Sequence, residues 1–402
     1  MCGLPAEDVL EELLSTTYQA TLLREEERPV TFRLILSSPE AFPEVAGPPD
    51  GLQRMVFTHR RPFTEHELRR LSPAAKFYRS LVGVEIGADR TPYIWGILQS
   101  GPRWLEGVRG GRRSLDTLPD DKLVIRASGP GRVAVSSGLR SLGEIRGGEI
   151  AEPKSDVFES KWLPAMFASE RNELKTLHEN DRGGREWAEL DADVSRLFSQ
   201  QMVKRLVATI SSAHHGGTIV ILPPHRTTTQ GRGFLRLKYS FEDGEPRRRY
   251  RTLATAAMAE LASSCASSEG PIGWSAYRAS ASQAIATIDE AVIEVAQLIA
   301  ALADVDGAVV LTKRFEIIGF GAEIAGDFPD VPTVMRALDL EGTEREEEGV
   351  EGVGTRHRSA YRLVSAERDA LVVVVSQDGT VRFVTYRDGA VTYWDHVSTG
   401  SL

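Results

Sequence analysis

The run Leu371-Val372-Val373-Val374-Val375-Ser376 carries five consecutive apolar residues with no polar alternation. A strand with one wet face alternates. An unbroken run of this length marks a strand covered on both faces, hence a central strand in a sheet flanked by helices. Just beyond it, Val381-Arg382-Phe383-Val384-Thr385-Tyr386 and Ala390-Val391-Thr392-Tyr393-Trp394 flank Asp388-Gly389, the turn chemistry of a tight hairpin.

Toward the N-terminus, Ala308-Val309-Val310-Leu311 and Phe315-Glu316-Ile317-Ile318-Gly319-Phe320 read as two strands joined by a turn. Thr218-Ile219-Val220-Ile221-Leu222 is another, stopped by Pro223-Pro224. Phe234-Leu235-Arg236-Leu237-Lys238-Tyr239 also has strand character. Between these runs the spacing becomes helical. Ile285, Ile288, Val292, Val295, Ile299 and Leu302 fall on one face over 281–303, and Val194, Leu197, Phe198, Met202, Leu206 and Ile210 do the same upstream. A further helix is predicted over 252–267. The expectation for 193–402 is an α/β domain with a mixed central sheet flanked by helices.

Residues 1–150 have a different texture. A helix is predicted over 6–24 from Val9, Leu10, Leu13, Leu14, Tyr18 and Leu22. Short strands follow at Thr31–Leu36, at Leu81–Ile86 with Tyr93–Leu98, and at Leu123–Arg126 with Arg132–Val135 across Ser128-Gly129-Pro130-Gly131. Thr64 with Glu67 three residues on has capping-box spacing and starts one more helix. This reads as a smaller α+β domain. The polar stretch 151–192 reads as a connector.

Composition narrows the function classes. The 402 residues are 41% hydrophobic and 26% charged, which excludes wholesale disorder. A net charge of −9 disfavours nucleic acid as a partner of the whole surface. No apolar run is long enough for a membrane span, and Glu7, Asp8, Glu11 and Glu12 are wrong for a secretory leader. Two cysteines, Cys2 and Cys265, make neither a disulfide framework nor a zinc site. The expectation is a cytoplasmic protein with no membrane partner.

Two short motifs carry chemistry. Asp306-Gly307-Ala308 stands where a long helix gives way to a strand. A carboxylate followed by glycine suits a divalent cation held near a ligand, since glycine lets backbone approach closely. Asp-Gly is equally a common turn. Gly354-Thr355-Arg356-His357-Arg358-Ser359-Ala360 concentrates positive charge. Arginine favours planar phosphate contacts, and a helix opening here would add free N–H groups. A solvated basic turn balancing the acidic stretch 341–351, with its six glutamates and one arginine, is the competing reading.

As a pair, these motifs, followed by a buried strand ending in Ser376, resemble the diadenylate cyclase (DAC) domain family. The likeness extends over Gly216-Gly217-Thr218-Ile219-Val220-Ile221, Ile317-Ile318-Gly319-Phe320-Gly321-Ala322 and Asp369-Ala370-Leu371, about half the chain. The resemblance implies an enzyme that condenses two ATP into cyclic di-AMP with release of two pyrophosphates, acting as a face-to-face homodimer or higher homo-oligomer. It implies that Asp306 binds a divalent metal (Mg²⁺ or Mn²⁺) and helps activate the attacking hydroxyl. Gly307 and Ala308 would touch the nucleotide through their backbone. Thr355 would bond phosphate or ribose, and Arg356, His357 and Arg358 would hold the triphosphate. Ser376 matches a position near the phosphates, and Phe320 or a neighbour would line the adenine pocket. The family's glutamate after the serine is here Gln377, with Asp378 next as a substitute metal ligand. Val305 stands where one branch has histidine. The acidic stretch 341–351 would repel a triphosphate unless turned outward or metal-bound. A nucleotide-binding regulator on the same fold is the non-catalytic alternative, and the front domain is expected to be sensory or regulatory.

Other candidates fit bland roles. Met1-Cys2-Gly3 resembles the start of N-terminal-cysteine amidotransferases but runs straight into a helix. Cys265 reads as a small packed hydrophobe, His214-His215 as a helix-end cap and Arg247-Arg248-Arg249 as a solvated turn. Glu65-His66-Glu67 lacks the second histidine of a zinc-protease helix. Tyr93, Trp95 and Trp104 suit either an apolar pocket or a core.

Overall fold

The structure is a computed structural model. It describes residues 4–42, 44, 52–77, 79–99, 122–137, 140–151, 156–213, 215–226, 235–326, 328, 330–377 and 380–396. Cys2, Trp104, His214, Phe234 and Asp378 lie outside the described residues. The chain divides into two compact units, Met1–Lys154 and Ser155–Ser401.

In the first unit, α1 (Glu7–Thr21) precedes a short ribbon of β1 (Arg24–Glu25) and β2 (Arg28–Pro29). The main sheet has eight strands: β3 (Phe32–Leu36), β4 (Gln53–Pro62), β5 (Ser80–Ile86), β6 (Pro92–Gln99), β7 (Leu123–Gly129), β8 (Arg132–Ser137), β9 (Arg140–Arg146) and β10 (Glu149–Ala151). Their order is β10-β9-β8-β7-β3-β5-β6-β4, with β3 parallel to β5 and otherwise antiparallel neighbours. The helix α2 (Glu65–Leu71) starts where the capping spacing places it: the Thr64 hydroxyl accepts from the Glu67 N–H at 3.3 Å. The Glu67 carboxylate itself takes Arg61 at 2.9 Å, which holds it below the usual carboxylate range. Phe32 and Leu34 point into one core with Val9 and Leu13 of α1. Ile35 points the other way with Trp95, which is buried and donates to the Ser37 carbonyl at 2.8 Å, as a core tryptophan must.

The second unit opens with α3 (Trp162–Ala165), α4 (Ala168–Asp181) and α5 (Ala192–Ala213). The strand β11 (Gly217–Leu222) follows, then the short β12 (Leu235–Arg236) and β13 (Tyr239–Ser240). Three helices come next: α6 (Glu245–Ser264), α7 (Trp274–Ala279) and α8 (Gln283–Leu302). The chain then forms β14 (Ala308–Thr312), β15 (Ile317–Ile324), β16 (Thr333–Ala337), β17 (Arg345–Gly349), α9 (Thr355–Ala366), β18 (Leu371–Val375), β19 (Val381–Arg387) and β20 (Ala390–His396). The ten strands form one mixed sheet in the order β12-β15-β14-β11-β18-β19-β20-β16-β17, with β13 beside β15. β11 and β14 are parallel, joined by a crossover through α6, α7 and α8. β18 runs antiparallel to both β11 and β19.

The apolar run at β18 is buried on both faces because two cores meet there. Leu371, Val373 and Val375 pack with Ile219, Ile221, Val309 and Leu311 against α5, α6 and α8. Val372 and Val374 pack with Val220, Ala308 and Val310 against α9. The fold is therefore α/β with a mixed sheet covered by helices, preceded by a sheet-rich α+β unit. The β19–β20 hairpin turns through Asp388 (φ 48°) and Gly389 (φ 88°), two left-handed residues in succession.

Four local expectations change. The connector 151–192 is packed into the second unit from Val157 onward. Trp162 stacks on Trp394 with ring centroids 4.2 Å apart, and both indoles donate to the Leu340 carbonyl. The acidic stretch 341–351 is not a free loop, since Arg345–Gly349 is the edge strand β17, antiparallel to β16. Charges on a sheet edge discourage pairing with another chain. Arg247, Arg248 and Arg249 sit in the first turns of α6 rather than in a turn, with Arg248 paired to Asp243 and Arg249 to Glu245. The predicted strand over 234–239 gives way to the two-residue strands β12 and β13.

Candidate functional site

The sheet register brings the two motifs to one end of the second unit. Thr218 pairs with Ala308 on one side and Val374 on the other, and Gly217 pairs with Val375. One step beyond the ends of these three adjacent strands stand Gly216, Gly307 and Ser376, with Asp306 just beyond Gly307. The side chain of Ala308 is in the core, so only its backbone faces this end.

Two glycines make the convergence possible. Gly307 has φ 116°, and a Cβ there would stand 2.5 Å from the Gly321 carbonyl carbon. Gly216 has φ 69°, and a Cβ there would stand 2.6 Å from the Val375 oxygen and 3.0 Å from Arg356 Nη1. Neither position tolerates a side chain without backbone movement. Arg356 reaches this corner from the first turn of α9, its Nη1 3.5 Å from the His215 carbonyl oxygen.

The N-terminus of α9 is bare. Gly354 caps it without a side chain, and the N–H groups of His357 and Arg358 bond back to the Gly354 oxygen. Thr355 and Arg356 precede those bonds, so their N–H groups, the positive end of the helix dipole, face outward. Thr355, Arg356 and Arg358 are exposed; His357 is half-buried and leans toward Tyr361, with ring centroids 6.4 Å apart. At 3.6 residues per turn, Arg356 and Arg358 leave the helix roughly 200° apart. Only Arg356 of the two contacts the corner at Gly216. Ser376 is half-buried and its N–H donates to the Thr380 oxygen at 2.8 Å, closing the turn after β18.

Sequence reading missed the pair that joins the two strand-opening turns. His215 Nε2 lies 2.5 Å from Asp304 Oδ1, a close contact that is not an aligned hydrogen bond, and His215 Nδ1 lies 2.7 Å from the Gly216 oxygen. His215 is thus not a cap on its own helix. It ties the turn before β11 to the turn before β14, two residues from Asp306. The signal available in sequence was the placement of both residues at helix-to-strand turns.

Phe320 stacks on Tyr239 at 4.7 Å and on Phe241 at 5.7 Å, and those two rings are 55% and 41% exposed. This aromatic ledge is next to Gly321, which backs onto Gly307.

A divalent cation fits this corner only in company. Among the described residues no group of three or more His, Cys, Asp or Glu side chains could hold a metal alone. The donor at hand is the exposed Asp306 carboxylate. Magnesium is commonly held by one or two carboxylates together with substrate phosphates, so the residues suit a cation that arrives with a polyphosphate.

Residues 2–99 match the family described as "Probable sensor domain DACNV". That sensor domain is associated with diadenylate cyclases. The match covers α1 through β6 of the first unit. It points coarsely to an enzyme under regulation and identifies no catalytic domain. No curated protein and no solved structure is significantly similar to the chain. Among the described residues, no helix is long and apolar enough to cross a membrane.

Proposed function

We propose that the second unit is a diadenylate cyclase domain and that the first unit regulates it. The observation that carries the reading is the corner at Gly216. There the opening of β11, the end of β18 and the Arg356 guanidinium meet on the sheet end that presents Asp306-Gly307. Support also comes from the DACNV match at residues 2–99, a stretch that contains neither motif.

In this reading each ATP lies across the strand openings. Its triphosphate is held by Arg356 and the bare N–H groups of α9, with Thr355 and His357 beside the outer phosphates and Arg358, on another side of the helix, adding positive charge at longer range. Ser376 and the backbone of Gly307 and Ala308 contact the nucleotide from the sheet. The aromatic ledge of Phe320 offers the adenine a stacking surface. Asp306 faces the 3′-hydroxyl that attacks. The 3′-oxygen bonds to the α-phosphorus of the other ATP, the α–β bridging P–O bond breaks, and pyrophosphate leaves with that electron pair. The hydroxyl proton passes to Asp306 and on to solvent. A bound Mg²⁺ or Mn²⁺ would supply charge neutralisation at the phosphates. Two domains must face each other, because one corner holds one ATP and the reaction joins two. Product analysis with ATP across a range of protein concentrations tests the reading. Cyclic di-AMP is expected, at a rate per protomer that rises with concentration. ATP binding without product would favour the nucleotide-binding regulator instead, for which Gln377 in the family's glutamate position is the specific motive.

A further inference from the structure

The opposite end of β14 carries a second concentration of positive charge. Lys313 and Arg314 follow β14, roughly 20 Å from Asp306 by the rise of a strand. They line a narrow cleft open to solvent together with Arg171 of α4 and Arg251 of α6. An adjoining cleft shares Phe167, Arg171, Ser199 and Phe315 with it and adds Arg196 of α5. Five cationic side chains thus border one continuous groove in a protein of net charge −9. Against them stand Glu170 in the lining, Glu173 behind it and Asp369, which acts on Lys313. Glu173 is shared by Arg251 at 2.6 Å and Arg314 at 2.5 Å. Positive charge is left in excess.

The floor of the groove is apolar and fixed. Phe167 and Phe315 stack in parallel with centroids 5.8 Å apart, and Tyr250 meets Phe315 edge-on at 4.9 Å. Phe315 is buried with φ 58°, a conformation bulky residues seldom adopt. Its turn is held by Thr312 Oγ1, which accepts from the N–H groups of Arg314 and Glu316. Tyr250 is 3% exposed and its hydroxyl has no hydrogen-bond partner. Ser199 Oγ, which donates to the Ser195 carbonyl at 2.9 Å, is near enough to oppose the rise that burial gives the Tyr250 pKa but makes no aligned hydrogen bond with its hydroxyl. A buried polar group without a partner in a cationic, aromatic-floored groove is a recognition element waiting for an acceptor.

We infer that this groove binds a small amphipathic anion. Its aromatic or short aliphatic body lies against Phe167, Leu174 and Phe315, its anionic head is within reach of Arg171 and Lys313, and an oxygen accepts from Tyr250. The electrostatics agree. Burial lowers the affinity of both Lys313 and Arg171 for their protons, Arg196 lowers that of Arg171 further, and Glu170 (with Asp369 at Lys313) offsets this only in part. An anion bound there would favour the charged form of both side chains.

Calorimetric titration of the full chain tests this with 1-naphthoate, 1-naphthyl phosphate and the neutral 1-naphthalenemethanol. At least one anion is expected to bind about tenfold more tightly than the alcohol, with the carboxylate and phosphate arms identifying the preferred head. Arg171→Gln with Lys313→Gln should reduce the anion to the alcohol's affinity, and Tyr250→Phe should weaken it severalfold. Arg356→Gln and the exposed Arg248→Gln should leave it unchanged. If the double variant does not fold, Arg196→Gln at a half-exposed position carries the test. Equal affinity for anion and alcohol, no binding at millimolar concentration, or indifference to the Arg171, Lys313 and Arg196 changes would overturn the inference.

Discussion

Arg356 Nη1 stands 3.5 Å from the carbonyl oxygen of His215, so the basic motif of α9 is anchored on the turn that opens β11. That single contact joins elements far apart in sequence and defines the corner on which the functional reading rests. It also separates Arg356 from Arg358, which leaves the helix on another side.

The glycines of the corner should differ in how they fail. In Gly216→Ala, the new methyl meets the Val375 oxygen and the movable Arg356 guanidinium in a left-handed conformation, and a loss of about 2 kcal/mol is expected. In Gly307→Ala the methyl meets three backbone atoms of the neighbouring strand under 3.0 Å (Gly321 C at 2.5 Å, Gly321 Cα at 2.8 Å and Ala322 N at 2.9 Å) against one at Gly216, so the loss should be larger. Urea midpoints check both. Equal, negligible losses would mean that the two backbones are not held as described.

The His215–Asp304 contact should matter more for function than for stability. Asp304 is half exposed, and such pairs contribute at most about 1 kcal/mol. Asp304→Asn should therefore melt near wild type yet lower turnover of ATP, because it releases the turn two residues before Asp306. A double-mutant cycle with His215→Gln should be non-additive in activity. Additive effects would show that the two turns are not coupled through this pair.

Acid stability should report on His178. Its ring stacks on Trp187 at 4.6 Å, and burial lowers its proton affinity below the ordinary value of 6.5, with Glu179 and Asp181 opposing. A depressed histidine binds fewer protons folded than unfolded. Its contribution is complete above 6.5 and is lost as the pH falls from there through the folded pKa. Denaturation midpoints followed by tryptophan fluorescence should fall over that window in wild type. His178→Gln should flatten that part of the profile, and an unchanged slope would contradict the assignment.

Much of this fold was legible in the sequence because its strands are covered on both faces. Val372 and Val373 belong to different cores, and such a run reads as central without further information. Asp388-Gly389 and Thr64 are local chemistry and read directly. The misreadings arose where tertiary contacts outweigh local signals. Trp162 lies in a polar stretch but stacks on Trp394. Arg345–Gly349 is too acidic to read as a strand and pairs only at an edge. Tyr239–Ser240 is a strand because β15 lends it two pairings. In the candidate site the motifs themselves were visible. The His215–Asp304 bridge was not, since nothing local places a helix-end histidine against a carboxylate on another turn.

The central claim is that the corner at Asp306 and Arg356 joins two ATP molecules. Its most direct test is chromatographic product analysis after incubation with ATP and Mn²⁺ or Mg²⁺, for wild type and Asp306→Asn side by side, with ATP binding measured on both. Cyclic di-AMP from wild type, and none from Asp306→Asn while it still binds ATP, is the predicted result. Wild-type protein that binds ATP but makes no cyclic di-AMP with either metal would contradict it.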